Sequence, residues 1–133
     1  MHVNLYTDGG ARGNPGPAAL GVVIKDEAGK VIKHYGSYLG ECSNNVAEYQ
    51  AIVSELRTGL ELGATSIDCY ADSKLVIEQL KRNWKVKHPD MQTLFVQAWN
   101  LMQKYEKVTL THIRREKNTE ADAEVNIILD RKA

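Results

Sequence analysis

Tyr6-Thr7-Asp8-Gly9-Gly10-Ala11-Arg12-Gly13-Asn14-Pro15-Gly16-Pro17-Ala18 is the stretch on which the fold turns. With the residues before it, His2–Asp8 reads as a strand, with Val3, Leu5 and Thr7 on one face. Gly9–Gly16 is turn chemistry, and Asn14-Pro15-Gly16-Pro17 is its strongest punctuation. Leu20–Ile24 follows as a β-rich run. Asp26–Lys30 then reads as a hairpin turn into a strand over Val31–Leu39. The opening is therefore a meander of three antiparallel strands.

Helical periodicity takes over beyond it. Tyr49, Ile52, Val53, Leu56 and Leu60 recur at helical spacing, and Gly63 is a stop signal. Ser66–Ala71 alternates as a short strand, and Leu75, Val76, Gln79 and Leu80 begin a second helix. Trp84–Pro89 is a basic loop. Met91, Leu94, Phe95, Ala98, Trp99 and Met102 mark a third helix. Val108–Ile113 is a strand, and Ala121, Val125, Ile128 and Leu129 lie on a final helix. Helix-separated strands imply parallel additions to the meander. The expectation is an α/β protein: one mixed five-stranded sheet flanked by helices, with residues 1–133 as a single domain.

Composition bounds the function. The chain has 133 residues, is 43% apolar, and carries 17 basic and 17 acidic side chains. That apolar share supports a core and excludes a disordered tail. The longest apolar run, Ala18–Ile24, is far short of the roughly 18 residues a membrane span needs. No basic and apolar leader opens the chain, and Cys42 and Cys69 lack metal or disulfide spacing. The reading is of a cytoplasmic protein with reduced thiols, a monomer by default. Zero net charge hides an asymmetry. Residues 1–73 carry 5 basic and 9 acidic groups, residues 74–117 carry 10 and 4, and residues 118–133 carry 2 and 4. Two acidic segments flank a basic one, a pattern suited to an acidic site beside a surface for a polyanion.

Four carboxylates stand out. Asp8 ends an apolar strand, where a turn-initiating role is the alternative. Asp72 ends the fourth strand, where Asp72 or Ser73 would also cap the next helix. Glu48 lies in the first turn of a helix, where Asn45 and Glu48 would form a capping box. Asp122 lies near the start of the last helix, where a carboxylate favours the helix dipole. Such positions gather at one edge of an α/β sheet, where ligands bind. Clustered carboxylates repel, and divalent cations neutralise them. An oxygen-only ligand set suits Mg²⁺ or Mn²⁺ rather than zinc. Two ions about 3.5–4 Å apart can clamp a phosphate and activate a water.

The opening stretch resembles the first motif of type 1 ribonuclease H. Asn44-Asn45-Val46-Ala47-Glu48-Tyr49-Gln50-Ala51, Ala71-Asp72-Ser73 and Arg115-Glu116-Lys117-Asn118-Thr119-Glu120-Ala121-Asp122 resemble its other motifs, in the family's order. The resemblance implies the ribonuclease H-like fold. It implies an endoribonuclease that hydrolyses the RNA strand of RNA/DNA hybrids on two Mg²⁺ ions, leaving 5′-phosphate and 3′-hydroxyl ends. Asp8 would bridge both ions, Glu48 and Asp72 would complete one site, and Asp122 would help hold the other. Gly9 and Gly10 would let the RNA strand approach the backbone. Asn14, Asn44 and Asn45 would contact the minor groove, where 2′-hydroxyls distinguish RNA.

The chain also departs from the family's pattern. The segment Lys81–His88 is a short version of a long basic insertion, and it offers Lys85 and Lys87 to the substrate. Trp84 there suits either core packing or nucleic acid. Ser43 falls where a hydroxyl helps bind a DNA-strand phosphate, but Glu41 stands where a cation is expected. His112 belongs to a strand, so Arg115 or Glu116 replaces a product-release histidine. Gly10, Gly13 and Gly16 do not make a phosphate loop, because they lead into a strand and no Gly-Lys-Ser/Thr follows. Two alternatives stay open: a non-catalytic hybrid-binding module of the same fold, and a nuclease for double-stranded RNA or DNA junctions.

Overall fold

The computed structural model describes residues 1–132. Its elements follow the expected order: β1 (His2–Ala11), β2 (Gly16–Lys25), β3 (Val31–Cys42), α1 (Asn44–Glu61), β4 (Ser66–Ala71), α2 (Lys74–Leu80), α3 (Pro89–Met102), β5 (Lys107–His112) and α4 (Thr119–Lys132). A 3-10 turn, Arg115–Lys117, precedes α4. The five strands form one sheet in the order β3-β2-β1-β4-β5. β2 and β3 extend antiparallel from β1, while β4 and β5 are added parallel.

β1 runs three residues further than its sequence suggests. Asp8, Gly9, Gly10 and Ala11 pair with Gly21, Leu20, Ala19 and Ala18 of β2. The glycines are tolerated in the strand because α1 crosses it closely. A Cβ at Gly9 would lie 2.3 Å from the Ala47 carbonyl carbon. The turn is confined to Arg12–Pro15, where Gly13 has φ 94° and the Arg12 N–H donates to the Pro17 carbonyl at 2.9 Å. The β2–β3 turn is closed by the Asp26 carboxylate, which accepts from the Lys30 N–H at 2.9 Å.

Two layers of helix cover the sheet. α1 buries Tyr49, Ile52 and Leu56 against Val3, Leu5, Val22, Ile24 and Ile67, in the main core. On the opposite face α4 buries Val125 and Leu129 against Ala19. There a Cβ at Gly21 would sit 2.3 Å from the Ala121 carbonyl oxygen, so the helix rests almost directly on β2. His34 and Glu124, 2.7 Å apart, tie β3 to α4. That contact accounts for a glutamate on the helix that packs on the sheet.

The start of α1 differs from its sequence reading. Ser43, not Asn45, is the cap, and its hydroxyl accepts from the Val46 N–H at 3.2 Å. Glu48 is therefore two residues too deep in the helix to close a capping box on Ser43. Ser73 caps α2, accepting from the Val76 N–H at 3.3 Å. One core residue is unusual. Glu55 of α1 is fully buried, and among the described residues only the Cys69 thiol, a weak donor, stands beside its carboxyl.

Candidate active site

The parallel pairing of β1 and β4 ends at Thr7 and Ala71. The next residues, Asp8 and Asp72, therefore emerge side by side at the carboxyl edge of the two strands. Glu48 joins them from the first turns of α1. One oxygen from each of these three carboxylates lies within 4.8 Å of the others. Asp122, on the first turn of α4, lines the same cleft but stands outside that group of three. The cleft encloses about 400 Å³.

Several of these carboxylates have a donor of their own. The Gly9 N–H donates to Glu48 Oε1 at 2.8 Å. Asn118 Nδ2 donates to Asp72 Oδ2 at 3.2 Å, and Asn126 Nδ2 to Asp122 Oδ2 at 3.2 Å. The charges remain crowded. Burial and the neighbouring Asp72 charge push the Asp8 carboxyl up to about 7. Burial and then Asp8 itself push Glu48 well above the usual carboxylate range. In the absence of a cation, protons take up part of the countercharge. Close carboxylate oxygens short of positive charge are the donor set of a hard divalent ion, so the residues fit Mg²⁺ or Mn²⁺.

The structure brings Gly9, Gly10, Asn44, Asn45 and Arg115 to this cleft, with Arg12. Asn14 reaches its rim indirectly. Its Oδ1 accepts from the Asn44 N–H at 3.1 Å, and Asn44 Oδ1 accepts from the Ala11 N–H at 2.8 Å. The β1–β2 loop is thus latched to the start of α1. Ser43 lines a separate groove with Glu41, His88 and Asp90. Lys85 and Lys87 lie in a third and larger cavity of about 860 Å³, with Arg82, Trp84, Phe95 and Trp99. Trp84 is 45% exposed, which rules out core packing, and Lys74 Nζ lies 6.0 Å from its ring centre. Glu116 sits exposed in the 3-10 turn, outside the cleft, which leaves Arg115 as the residue of that pair beside the carboxylates.

Sequence reasoning missed Asn118, Asn126 and Arg12. Asn118 lies within a recognised motif, but an asparagine before a helix reads as a cap. Asn126 is one helical turn beyond Asp122, a spacing at which side chains meet. Arg12 lies in the Gly9–Gly16 stretch, which reads as turn chemistry. It lines the cleft, and its guanidinium donates to Asp130 at 2.6 Å.

Comparison with known proteins agrees with this architecture. A family described as reverse transcriptase-like matches residues 6–127. Bifunctional protein Rv2228c of Mycobacterium tuberculosis is 40% identical over 98% of this chain, which spans 36% of that relative's length. Ribonuclease HI of Halobacterium salinarum is 38% identical over 96% of the chain, which spans 64% of it. Among solved structures, RNase H1 of Halobacterium salinarum superposes with a TM-score of 0.95 at 37% identity, over 98% of both chains. LC11-RNase H1, solved in complex with an RNA/DNA hybrid, superposes with a TM-score of 0.93 at 38% identity, over 98% of both chains. With sheet order, carboxylate cleft and sequence in agreement, this chain belongs to the type 1 ribonuclease H family.

Proposed function

We propose that the chain is an endoribonuclease that hydrolyses the RNA strand of RNA/DNA hybrids, leaving 5′-phosphate and 3′-hydroxyl ends. The observation that carries this reading is the meeting of Asp8, Glu48 and Asp72 oxygens within 4.8 Å at one sheet edge. The relative LC11-RNase H1, which binds a hybrid, shares the whole fold.

In this reading Asp8, Glu48, Asp72 and Asp122 hold two divalent cations, Mg²⁺ or Mn²⁺. Such ions supply an activated water and neutralise the leaving oxygen. The protein's own part is positional. Asp8 pairs with Gly21 of β2 and immediately follows Thr7, the last β1 residue paired with β4. The Gly9 amide orients Glu48. Gly9 and Gly10 present bare backbone to the substrate. Asn44 has its Oδ1 engaged by Ala11, so its Nδ2 hydrogens are the donors left for a 2′-hydroxyl or base edge. Asn45 shares that wall, and Asn14 acts by latching it. Arg115 lines the cleft beside the carboxylates and takes the auxiliary role at the phosphate, while the guanidinium of Arg12 is paired with Asp130. Lys85 and Lys87 meet backbone phosphates further along the duplex, and Ser43 contributes in its adjoining groove. Residues 1–133 act as one catalytic domain.

The experiment is cleavage of a hybrid labelled on either strand, with Mg²⁺ and with chelator, by the wild type and Asp8→Asn. Removing one carboxylate from the ion cluster should lower kcat by about 10³-fold or more, since each ion provides several kcal/mol of transition-state stabilisation. Equal cleavage by the variant would overturn the mechanism. Firm hybrid binding with no cleavage by the wild type would make the chain a binding module instead.

A further inference from the structure

Asn118 is almost completely buried at the carboxylate edge, 2% exposed. It immediately precedes α4, and its carbonyl accepts from the Asp122 N–H at 3.1 Å. An asparagine in that position ordinarily turns its side-chain oxygen onto a free N–H of the first helical turn. Here it does not. Asn118 Oδ1 is buried with no hydrogen-bond partner among the described residues. The amide faces the other way, and Nδ2 donates to the Thr7 carbonyl at 2.7 Å and to Asp72 Oδ2 at 3.2 Å.

Both of those partners are acceptors only, so the NH₂ end must face them and the amide orientation is fixed by chemistry. The contacts join three elements. Thr7 is the β1 residue before Asp8, Asp72 follows β4, and Asp122 opens α4. One side chain and its own carbonyl therefore span the supports of three of the four carboxylates. A cap that leaves its acceptor unused is a poor choice for helix stability alone. The same geometry is well suited to holding the Asp72 carboxylate in one rotation relative to Asp8.

We propose that Asn118 is a positioning residue for the divalent-ion site, setting Asp72 by its amide and Asp122 by its backbone. The proposal rests on the metal-ion reading of the cleft given above. Groups that orient metal ligands through hydrogen bonds typically change metal affinity or activity by about 10–100-fold when removed. Asn118 touches no part of the open cleft, so its loss should act through the ions and not through hybrid contacts.

The test is Mn²⁺ binding to the substrate-free protein, followed by loss of the free-ion paramagnetic resonance signal, for wild type, Asn118→Ala and Asn118→Ser. Hybrid cleavage against Mg²⁺ concentration is measured alongside. Asn118→Ala should weaken Mn²⁺ binding and raise the half-saturating Mg²⁺ concentration by about 10-fold or more. The KM for hybrid at saturating Mg²⁺ should stay within about twofold. Asn118→Ser keeps one hydroxyl donor and should fall between. If Asn118→Ala lacks a cooperative melting transition, Asn118→Ser against wild type decides on the same readouts. Wild-type Mn²⁺ affinity in the folded variants would overturn the proposal, as would a raised KM with unchanged ion dependence. If the wild type binds Mn²⁺ but does not cleave hybrid, the substrate reading fails while the variants still decide the role of Asn118. A wild type that binds no Mn²⁺ overturns both.

Discussion

At the scale of single residues, the proposed chemistry rests on the carboxylates. Burial and Asp72 raise Asp8 to about 7, so the metal-free site holds a proton there at neutral pH and below. Metal binding must displace it. Mg²⁺ affinity should therefore rise with pH through the range in which Asp8 and Glu48 lose their protons, and proton release on binding, measured by calorimetry in two buffers, should shrink over the same range. An affinity independent of pH from 5.5 to 8 would contradict the raised Asp8. Asp8, Glu48, Asp72 and Asp122 were legible because each interrupts an apolar pattern or sits in a recognisable motif. The role of Glu48 was not fully legible. A glutamate early in a helix looks like a cap partner, and only the crossing of β1 by α1 shows that the Gly9 amide takes that oxygen. Asn118 and Asn126 were illegible for the same reason, since their partners are fixed by tertiary placement.

At the scale of elements, the periodicities of α1, α3 and α4 and the meander of β1–β3 could be read directly. Boundaries were less so. β1 absorbs Gly9 and Gly10, which local chemistry assigns to a turn, because β2 pairs with them and α1 leaves no space for a side chain. α1 also contains Glu55, which no pattern explains. It is fully buried beside Cys69, and burial pushes its carboxyl well above the usual range. In the unfolded chain it ionises at about 4.3. In the folded protein burial raises its pKa, so its contribution is undiminished below about 4.3 and is lost progressively as pH rises toward the folded-state value. Glu55→Leu should remove a buried carboxyl with only a weak thiol partner and raise unfolding free energy at pH 8 by about 1–3 kcal/mol. The gain should shrink toward pH 4. Urea titrations at the two pH values measure it, and a variant less stable than wild type at pH 8 would show that Glu55 has a stronger partner in solution.

At the scale of the whole molecule, a net charge of zero is compatible with a polyanionic substrate. The four carboxylates lie in the two acidic segments and gather in one cleft, where the proposed cations would reverse the local sign. The basic segment supplies Arg82, Lys85 and Lys87 to a separate cavity with exposed Trp84. Hybrid binding should weaken steeply between 50 and 200 mM salt through counterion release, by a slope of about 0.9 for each phosphate contact. Reversing Lys85 and Lys87 to glutamate should flatten that slope and raise KM more than it lowers kcat. The segment charges and the mixed sheet were legible in sequence, whereas the separation of the basic cavity from the carboxylate cleft required the fold. The most direct test of the proposed activity sets an RNA/DNA hybrid beside double-stranded RNA, double-stranded DNA and a DNA junction, each with Mg²⁺ and with chelator, and maps the product ends. Mg²⁺-dependent cleavage confined to the RNA strand of the hybrid, with 5′-phosphate and 3′-hydroxyl ends and lost in Asp8→Asn, is the expected result. An intact hybrid, or equal cutting of another duplex, would contradict it.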